Sequence, residues 1–286
     1  MTDEQTYDHT GIDDFNSAVI EEFRANGGRV GGMFEGARLL LLTTTGARTG
    51  IRRTVPVAYL PDGERTLIIA SAGGGPRHPA WFHNLRAEPR VTVENGVFAV
   101  EADAVVLEGE ERDAVFARAA EADPGWAEYQ AETERTIPVV ALNPVSGEAV
   151  EQRLGKGLIA VHDAFRRELA MVRDEIARSG PGLGAQLRIN CLTVCQGLAY
   201  HHTMEDTGMF PALAEARPEL ADVIARLGEE HTRVETLLEQ LRIQLDGAAP
   251  DPAAVQSEVE RLTTELEAHL AYEEEQLVPI LDTMTP

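Results

Sequence analysis

The apolar residues of this chain change their spacing near its middle, and this change constrains the fold more than any other feature. Before residue 142, short runs rich in β-branched residues alternate with glycine turns, whereas after residue 157 apolar residues recur at i, i+3, i+4 and i+7. Turn signals at Asn143-Pro144 and Ser146-Gly147 separate the two patterns. A chain of 286 residues is long enough for two domains, and we predict them at 1–150 and 151–286.

The first half consists of short candidate strands, each bounded by Gly, Pro or Asp turns. This regular spacing favours an antiparallel barrel over a doubly wound sheet. Helices are predicted near Phe15–Ala25 and Gly109–Glu121. The predicted strands are Arg38–Thr45, Thr54–Leu60, Arg65–Ser71, Arg90–Glu94, Phe98–Val106 and Val139–Asn143.

The second half carries four long segments with helical spacing, at about 155–178, 185–207, 218–245 and 252–282, which predict an all-α up-down four-helix bundle. The whole chain is therefore expected to be an α+β multidomain protein. An internal repeat supports the bundle, because a shift of 68 residues places the second helix on the fourth. The shift maps His201 onto His269, Glu205 onto Glu273, Asp206 onto Glu274, Phe210 onto Val278, Pro211 onto Pro279 and Leu213 onto Leu281.

Three histidines of the second half are each followed four residues later by glutamate, so that an imidazole and a carboxylate project from the same helix face. Two such ligands on one face suit a shared metal ion. Apolar neighbours indicate that these side chains point inward, where unpaired ionisable groups are costly. The pairs are His201/Glu205, His231/Glu235 and His269/Glu273, and His162 on the first helix is followed by Arg166 instead.

This pattern resembles the hemerythrin-like bundles over about residues 155 to 285, through His162, the run 201–206, His231 and the run 269–274. The resemblance implies a non-haem di-iron centre in which Glu205 and Glu273 bridge the irons. The implied ligands are His162, His201, Glu205, His231, His269 and Glu273.

Two positions depart from the oxygen-carrying members of that family. Glu235 stands where those members use a further histidine, and it is either a ligand or a solvated charge. His202 offers an extra imidazole, for which a role other than metal ligand is favoured. We expect a carboxylate-rich ligand set, and because harder ligands favour oxidised iron, we expect turnover or sensing rather than storage.

A basic cluster interrupts the first half of a chain whose net charge is −23. Between Glu35 and Asp62 there is no acidic residue, whereas four arginines occur, among them Arg48 and Arg53. We predict that the turn 44–50 holds a phosphate through free backbone N–H groups, the Thr49 hydroxyl and Arg53. A solvated basic hairpin is the alternative. The overall negative charge argues against nucleic-acid binding.

A second motif, at residues 70–85, contains Gly73-Gly74-Gly75, which allow close backbone approach to a ligand, followed by Trp81 and Asn84 on a helical turn. With the basic turn, it resembles the deazaflavin-dependent nitroreductase family over about residues 16 to 144. Members of that family are split β-barrels that bind the deazaflavin coenzyme F-420. The resemblance includes Tyr129-Gln130 and the run 133–138.

The resemblance implies hydride transfer from the reduced deazaflavin to a quinone or nitro compound. The implied phosphate and acidic-tail ligands are Arg48, Thr49, Gly50 and Arg53. Ser71, Ala72, Gly73, Trp81 and Asn84 are the implied deazaflavin contacts, and Ser71, Trp126 and Tyr129 are the candidate catalytic residues. Flavin mononucleotide is the alternative cofactor. Three residues depart from the family pattern. Ala47 replaces a basic residue, Ala58 stands where nitroreducing members carry a tyrosine, and Glu132 occupies a place that is often aromatic.

The expected partners are a small-molecule electron acceptor and, at the iron site, O₂ or peroxide. A rival hypothesis makes the bundle a sensor or store for oxygen, nitric oxide or iron that regulates or protects the barrel. The chain has no candidate membrane-spanning segment and is expected to be cytoplasmic. Peripheral access to a membrane quinone and assembly into a homodimer are two further possibilities that the sequence does not decide. Cys191 and Cys195 are predicted to be buried, inert thiols, and His78 and His83 to be polar rim or core residues.

Overall fold

The computed structural model describes residues 9–149, 154–247 and 249–284. These residues form two compact units, one that contains a β-barrel and one that contains a helical bundle. The barrel unit belongs to the first half of the chain, except that Pro61–Glu64 and Ala114–Pro124 belong to the unit of the bundle. Among the described helices, none is both long and apolar enough to cross a membrane.

Six antiparallel strands close the barrel in the order β1-β2-β3-β6-β5-β4, which confirms the predicted barrel. Leu40, Leu42, Ile68 and Leu142 fill its interior. Two strands, β4 and β5, have the predicted bounds, while β2 and β6 are longer than predicted. The strands are β1 (Leu39–Thr45), β2 (Arg52–Asp62), β3 (Arg65–Ile69), β4 (Arg90–Glu94), β5 (Phe98–Val106) and β6 (Val139–Ala149).

Strand β1 is buried on both faces, which explains its uninterrupted run of four leucines. Leu40 and Leu42 point into the barrel, whereas the alternate leucines pack with Val19 and Phe23 of the first helix. The short helix α4 was not predicted. The helices of this half are α1 (His9–Ala25), α2 (Ala80–Ala87), α3 (Gly109–Ala122) and α4 (Gly125–Ala131).

The bundle consists of four long helical segments, as predicted, around a leucine- and valine-rich core. Cys191 and Cys195 are buried in this core, and burial raises the pKa of the Cys195 thiol to about 12, so it is inert as expected. The helices are α5 (Leu154–Arg178), α6 (Ala185–Met204), α7 (Phe210–Ala216), α8 (Ala221–Asp246) and α9 (Pro252–Leu281).

A π-helical turn, Glu205–Met209, joins α6 to α7 and was not predicted. Pro211 follows it, and a proline cannot donate the backbone hydrogen bond of a regular helix. The repeat-equivalent Pro279 nevertheless lies within the uninterrupted helix α9. The two segments differ at Gly208, for which α9 has Gln276, and glycine lowers the cost of leaving the α conformation.

Candidate metal centre and cofactor-binding site

Five histidines and two glutamates converge in the interior of the bundle. They form two groups, and within each group one ligand atom from every residue lies within 4.8 Å of the others. All seven residues are buried except His201, whose side chain is 12% exposed. One group is His162, His201, Glu205 and Glu273, and the other is His202, His231 and His269.

The atoms that meet at this point have no hydrogen-bond partner among the described residues. They are the Nε2 atoms of all five histidines and both carboxylate oxygens of Glu205 and Glu273. A buried polar atom without a partner costs about 1–3 kcal/mol, so such a cluster is costly unless something binds it. Imidazole nitrogen and carboxylate oxygen are donors that suit non-haem iron, and the residues present therefore fit a pair of such ions.

Each glutamate lies between one histidine of each group. Glu205 Oε1 is 3.2 Å from His201 Nε2, and its Oε2 is 3.6 Å from His231 Nε2. Glu273 Oε2 is 3.5 Å from His162 Nε2 and 3.6 Å from His269 Nε2. Both carboxylates are thus placed to be shared between two metal positions.

Three further carboxylates, called the outer carboxylates here, bind the opposite side of the histidine rings. Glu274 lies 2.9 Å from His162 Nδ1, Asp206 lies 2.8 Å from His231 Nδ1, and Glu230 lies 3.1 Å from His269 Nδ1. A carboxylate at Nδ1 keeps the proton there and leaves the Nε2 lone pair free for a metal ion.

Two arginines hold two of the outer carboxylates in place. Arg166 donates to Glu274 at 2.8 Å, and Arg226 donates to Glu230 at 2.8 Å. The guanidinium of Arg226 also lies 3.6 Å from the centre of the Tyr272 ring. The outer carboxylates are therefore oriented by contacts of their own.

Burial controls the protonation of the cluster. Desolvation lowers the pKa of His201 to about 3 and also lowers the pKa of His202. Desolvation raises the pKa of Glu205, with a further contribution from the charge of Glu273, and it raises the pKa of Glu273 as well. The imidazoles are therefore neutral, the form that binds metal, and a bound cation would displace protons from the carboxyl groups.

The structure brings together the six residues that the resemblance implies as ligands, and it bears on the two positions that depart from the family pattern. Glu235 is exposed and lies outside both groups, which favours the solvated charge of the two alternatives. His202 is buried beside His231 and His269, although a different role was favoured for it. The cluster is rich in histidine, contrary to the expected carboxylate-rich set, so its ligands do not favour turnover.

Sequence reasoning missed the role of the outer carboxylates. A signal for two of them was available, because the 68-residue repeat maps Asp206 onto Glu274, next to the glutamates at the centre. No sequence pattern indicated the role of Glu230. It lies next to His231 on α8, but its carboxylate contacts the ring of His269 on α9.

In the barrel, the β1–β2 turn uses most of its own N–H groups, contrary to the predicted free cradle. The N–H groups of Thr49 and Gly50 donate to Gly46 O, and the N–H of Ile51 donates to the Thr49 hydroxyl. Gly46 is required because a Cβ there would lie 2.6 Å from Thr49 Oγ1. What the turn offers a ligand is mainly side chains.

Two of those side chains are the exposed guanidinium groups of Arg48 and Arg53. Within the described chain, no hydrogen bond or ion pair involves either of them. Asn84 supports the turn from helix α2, since it accepts from Ala47 N at 3.1 Å and donates to Thr44 Oγ1 at 3.0 Å. Its cofactor contact stays a prediction, whereas its observed contacts orient the turn.

The segment after β3 adopts a left-handed turn. Ala72, Gly73 and Gly74 have φ values of 51°, 58° and 74°, and Ala72 is the only non-glycine with positive φ among the described residues. A left-handed alanine stores roughly 1–2 kcal/mol of strain. A Cβ at position 74 would collide with the Glu132 side chain, so glycine is needed there.

Arg135 holds this turn in place, a role that the sequence did not indicate. Its guanidinium donates to Ala70 O at 3.1 Å, Ser71 O at 2.5 Å and Gly75 O at 2.9 Å. It also lies 3.0 Å from His78 Nδ1. Burial, with the nearby charge of Arg135, lowers the pKa of His78, which is therefore a neutral supporting residue.

The aromatic candidates lie around the same turn. Trp81 is half-buried and packs against the barrel core. Trp126 and Tyr129 form an edge-to-face pair at 6.1 Å on helix α4, which packs against the 72–74 turn, and Tyr129 is 38% exposed. Ala58 is half-buried and pairs with Leu39 of β1.

Comparison with known proteins gives two adjacent family matches. Residues 17–144 match the family described as F420H(2)-dependent quinone reductase, and residues 156–281 match the hemerythrin HHE cation binding domain. The chain is 40% identical over 124 residues to the F420H(2)-dependent quinone reductase Rv1261c of Mycobacterium tuberculosis, which covers 42% of this chain and 83% of the relative. A second protein of that organism, described as a putative member of the same class, is 31% identical over 105 residues, which are 37% of this chain and 88% of the relative.

Among solved structures, an F420-H2 dependent reductase (FDR-A) is 41% identical. The match covers 37% of this chain and 94% of that one, with a TM-score of 0.35.

Proposed function

This chain belongs to the F420H(2)-dependent quinone reductase family, and from that premise we propose that its barrel transfers hydride from reduced coenzyme F-420 to a quinone-class acceptor. We further propose that its hemerythrin domain binds a pair of non-haem iron ions. The observation that carries the second proposal is the cluster of buried Nε2 and carboxylate atoms without partners.

In the barrel, the left-handed turn supports the cofactor assignment. Ala72 and Gly73 are exposed, and a Cβ at Gly73 would meet no atom within 4 Å, so the main chain there is open to a planar ring system. Arg135 fixes the three carbonyl groups around it. We propose that Ser71, Ala72, Gly73 and Trp81 line the deazaflavin.

The two exposed arginines of the β1–β2 turn supply the anion contacts. A phosphate or carboxylate prefers paired N–H donors in the plane of a guanidinium, which Arg48 and Arg53 offer. Thr49 adds a hydroxyl donor beside them. We propose that these side chains hold the phosphate and the acidic tail of the coenzyme, since the N–H group of Gly50 already donates to Gly46 O.

The bound deazaflavin supplies the hydride, and the chain orients the acceptor and provides a proton. Reduction of a quinone to a hydroquinone consumes one hydride and one proton, and negative charge develops on the acceptor oxygen. The exposed hydroxyl of Tyr129 and the hydroxyl of Ser71 are the proposed donors to that oxygen, and Trp126 orients Tyr129. Ala58 has no donor, which favours quinones over nitro compounds as acceptors.

In the bundle, the histidines would bind iron through Nε2, and Glu205 and Glu273 would bridge the two ions. Bound iron supplies one-electron chemistry and affinity for oxygen, peroxide or nitric oxide. The outer carboxylates keep Nδ1 protonated, and burial excludes water from the ligands.

Two roles for such a centre are distinguishable. In the first, the cluster would hold iron that supplies redox chemistry toward oxygen or peroxide, or takes up electrons from the reduced deazaflavin. In the second, the bundle would bind oxygen, nitric oxide or iron and would regulate or protect the reductase, a role favoured by the histidine-rich ligand set. Aerobic oxidation of the reduced coenzyme by the full chain should fall in Glu205→Gln and Glu273→Gln in the first case and stay unchanged in the second.

The test of the reductase assignment is turnover of the full chain with reduced F-420 and a soluble quinone, alongside metal analysis and an optical spectrum of the same sample. Hydroquinone formation and iron in the purified protein are expected. Copurification of flavin mononucleotide, or no turnover with any quinone, would contradict the assignment of the barrel. A purified full chain that binds no metal would contradict the assignment of the second domain.

A further inference from the structure

The internal repeat makes the two halves of the metal cluster nearly equivalent. His201 corresponds to His269, Glu205 to Glu273, and the outer carboxylate Asp206 to Glu274. The equivalence fails at one buried position next to these ligands, because His202 corresponds to Leu270. Both side chains are buried, with residual exposures of 5% and 0%.

His202 does not behave as a packing residue. Its ring stacks on that of His231, with centroids 4.1 Å apart and planes at 11°, and lies 5.2 Å from the ring of His269. Its Nε2 is buried without a hydrogen-bond partner in the described chain. A nitrogen of its ring also lies within 4.8 Å of ligand atoms of His231 and His269. Leucine would fill such a position without burying an unpaired nitrogen, as it does at 270.

The outer carboxylates are distributed unequally as well. Asp206 and Glu230 bind Nδ1 of His231 and His269, which belong to the group that contains His202. In the other group, Glu274 binds His162. Glu230 directly precedes His231, whereas the residue that precedes His162 is Val161, which has no carboxylate. The group that contains His202 therefore has one more outer carboxylate than the other group.

We propose that His202 is a metal ligand and that the two metal positions are therefore unequal. One position is held by His202, His231 and His269, and the other by His162 and His201, with Glu205 and Glu273 shared between them. The position with three histidines has more nitrogen donors and more oriented rings, so it binds metal first and more tightly. The inference rests on the proposed pair of metal ions in the bundle.

The test is an anaerobic titration of the metal-free full chain with Co(II), followed by its optical bands and by calorimetry. Two successive phases are expected, with one ion bound in each. His202→Leu installs the residue that the repeat carries at 270, and it should weaken the tighter phase at least about tenfold while the second ion still binds. The cross-control His201→Leu should weaken the second phase and leave the tighter one.

Imidazole separates a ligand role from a packing role. In His202→Gly, added imidazole should restore the tighter phase, because it can occupy the site of the lost ring, whereas a packing defect would not respond in this way. Circular dichroism of each metal-free variant reports whether the bundle is folded.

The possible results are distinct. A single phase in the unaltered chain, or a tighter phase that His202→Leu leaves unchanged, would overturn the role of His202 while the metal centre stands. An unaltered chain that binds no Co(II) and no Fe(II) would instead overturn the proposed metal function itself.

Discussion

The barrel and the bundle treat the polar groups of their candidate sites in opposite ways. In the barrel, the turn N–H groups, the Asn84 amide and the Arg135 guanidinium already have protein partners. In the bundle, Nε2 atoms and carboxylate oxygens are buried without partners in the described residues. The braced groups of the barrel site are therefore satisfied by the protein itself, whereas the bundle leaves its central donor atoms unsatisfied.

This difference has a simple physical origin. A large organic cofactor can be bound by an open stretch of braced main chain and a few exposed charges. A metal ion needs several donors within a few ångströms of one point, and when such donors are buried they lack hydrogen-bond partners until an ion binds. Perturbing ligand supply should therefore affect the bundle far more than the barrel.

The largest expected effect is loss of metal from the bundle. The double variant His201→Ala/His269→Ala removes one nitrogen donor from each metal position, and it should lose nearly all bound iron. Both tryptophans, Trp81 and Trp126, lie in the barrel, so their fluorescence should stay unchanged. Metal analysis checks the first expectation and emission spectra the second; a double variant with full iron content would show that the histidines are structural.

A smaller effect is expected from an outer carboxylate. Glu230→Gln removes the charge that holds Nδ1 of His269, and it should weaken metal binding about 10- to 100-fold. Glu235→Gln, on the same helix but exposed, is the matched control and should bind metal normally. Competition with a chelator measures both, and equal affinities would contradict the orienting role.

In the barrel, loss of an anion contact should have a modest and salt-dependent effect. Arg53→Ala removes one exposed guanidinium and should weaken F-420 binding about tenfold at low salt, with a smaller difference at high salt. The control is Arg90→Ala, which removes a barrel arginine that pairs with Asp103. Calorimetry at two salt concentrations decides it, and an unchanged affinity at low salt would rule out Arg53 as an anion contact.

The smallest effect concerns the strain in the barrel turn. Ala72→Gly relieves a left-handed alanine and should raise the free energy of unfolding of the barrel by up to about 1 kcal/mol. Ala18→Gly, at an exposed position of helix α1, should lower it by a similar amount. Urea unfolding followed by tryptophan fluorescence compares them; if both variants are destabilised, position 72 carries no relievable strain.

Much of the fold could be predicted because its hydrophobic periods are long and regular. The bounds of β4 and β5 and the four helical segments of the bundle follow from spacing alone. The π-helical turn could not be predicted, since Pro211 and Pro279 occupy equivalent places and produce different local structures. Helix α4 was missed because it is short and buries no complete residue.

The candidate sites were predicted unevenly for a related reason. Helix spacing brings His201 and Glu205 to one face, so their proximity is a local property. The contacts of Arg135 with residues 70–75 and of Glu230 with His269 join distant parts of the chain. Spacing along one element carries no information about such pairs, and His202 was undervalued because it breaks the repeat that pointed to its neighbours.

The unpaired interior of the bundle has a consequence for how the protein is made. The barrel is translated first and needs no metal to satisfy its polar groups, whereas the bundle follows and, under the proposed assignment, needs iron to satisfy its own. In a cell short of iron, newly made chains would carry a finished barrel and an unstable second domain exposed to proteases. The steady-state amount of the intact protein would then follow the iron supply of the cell, without any change in transcription.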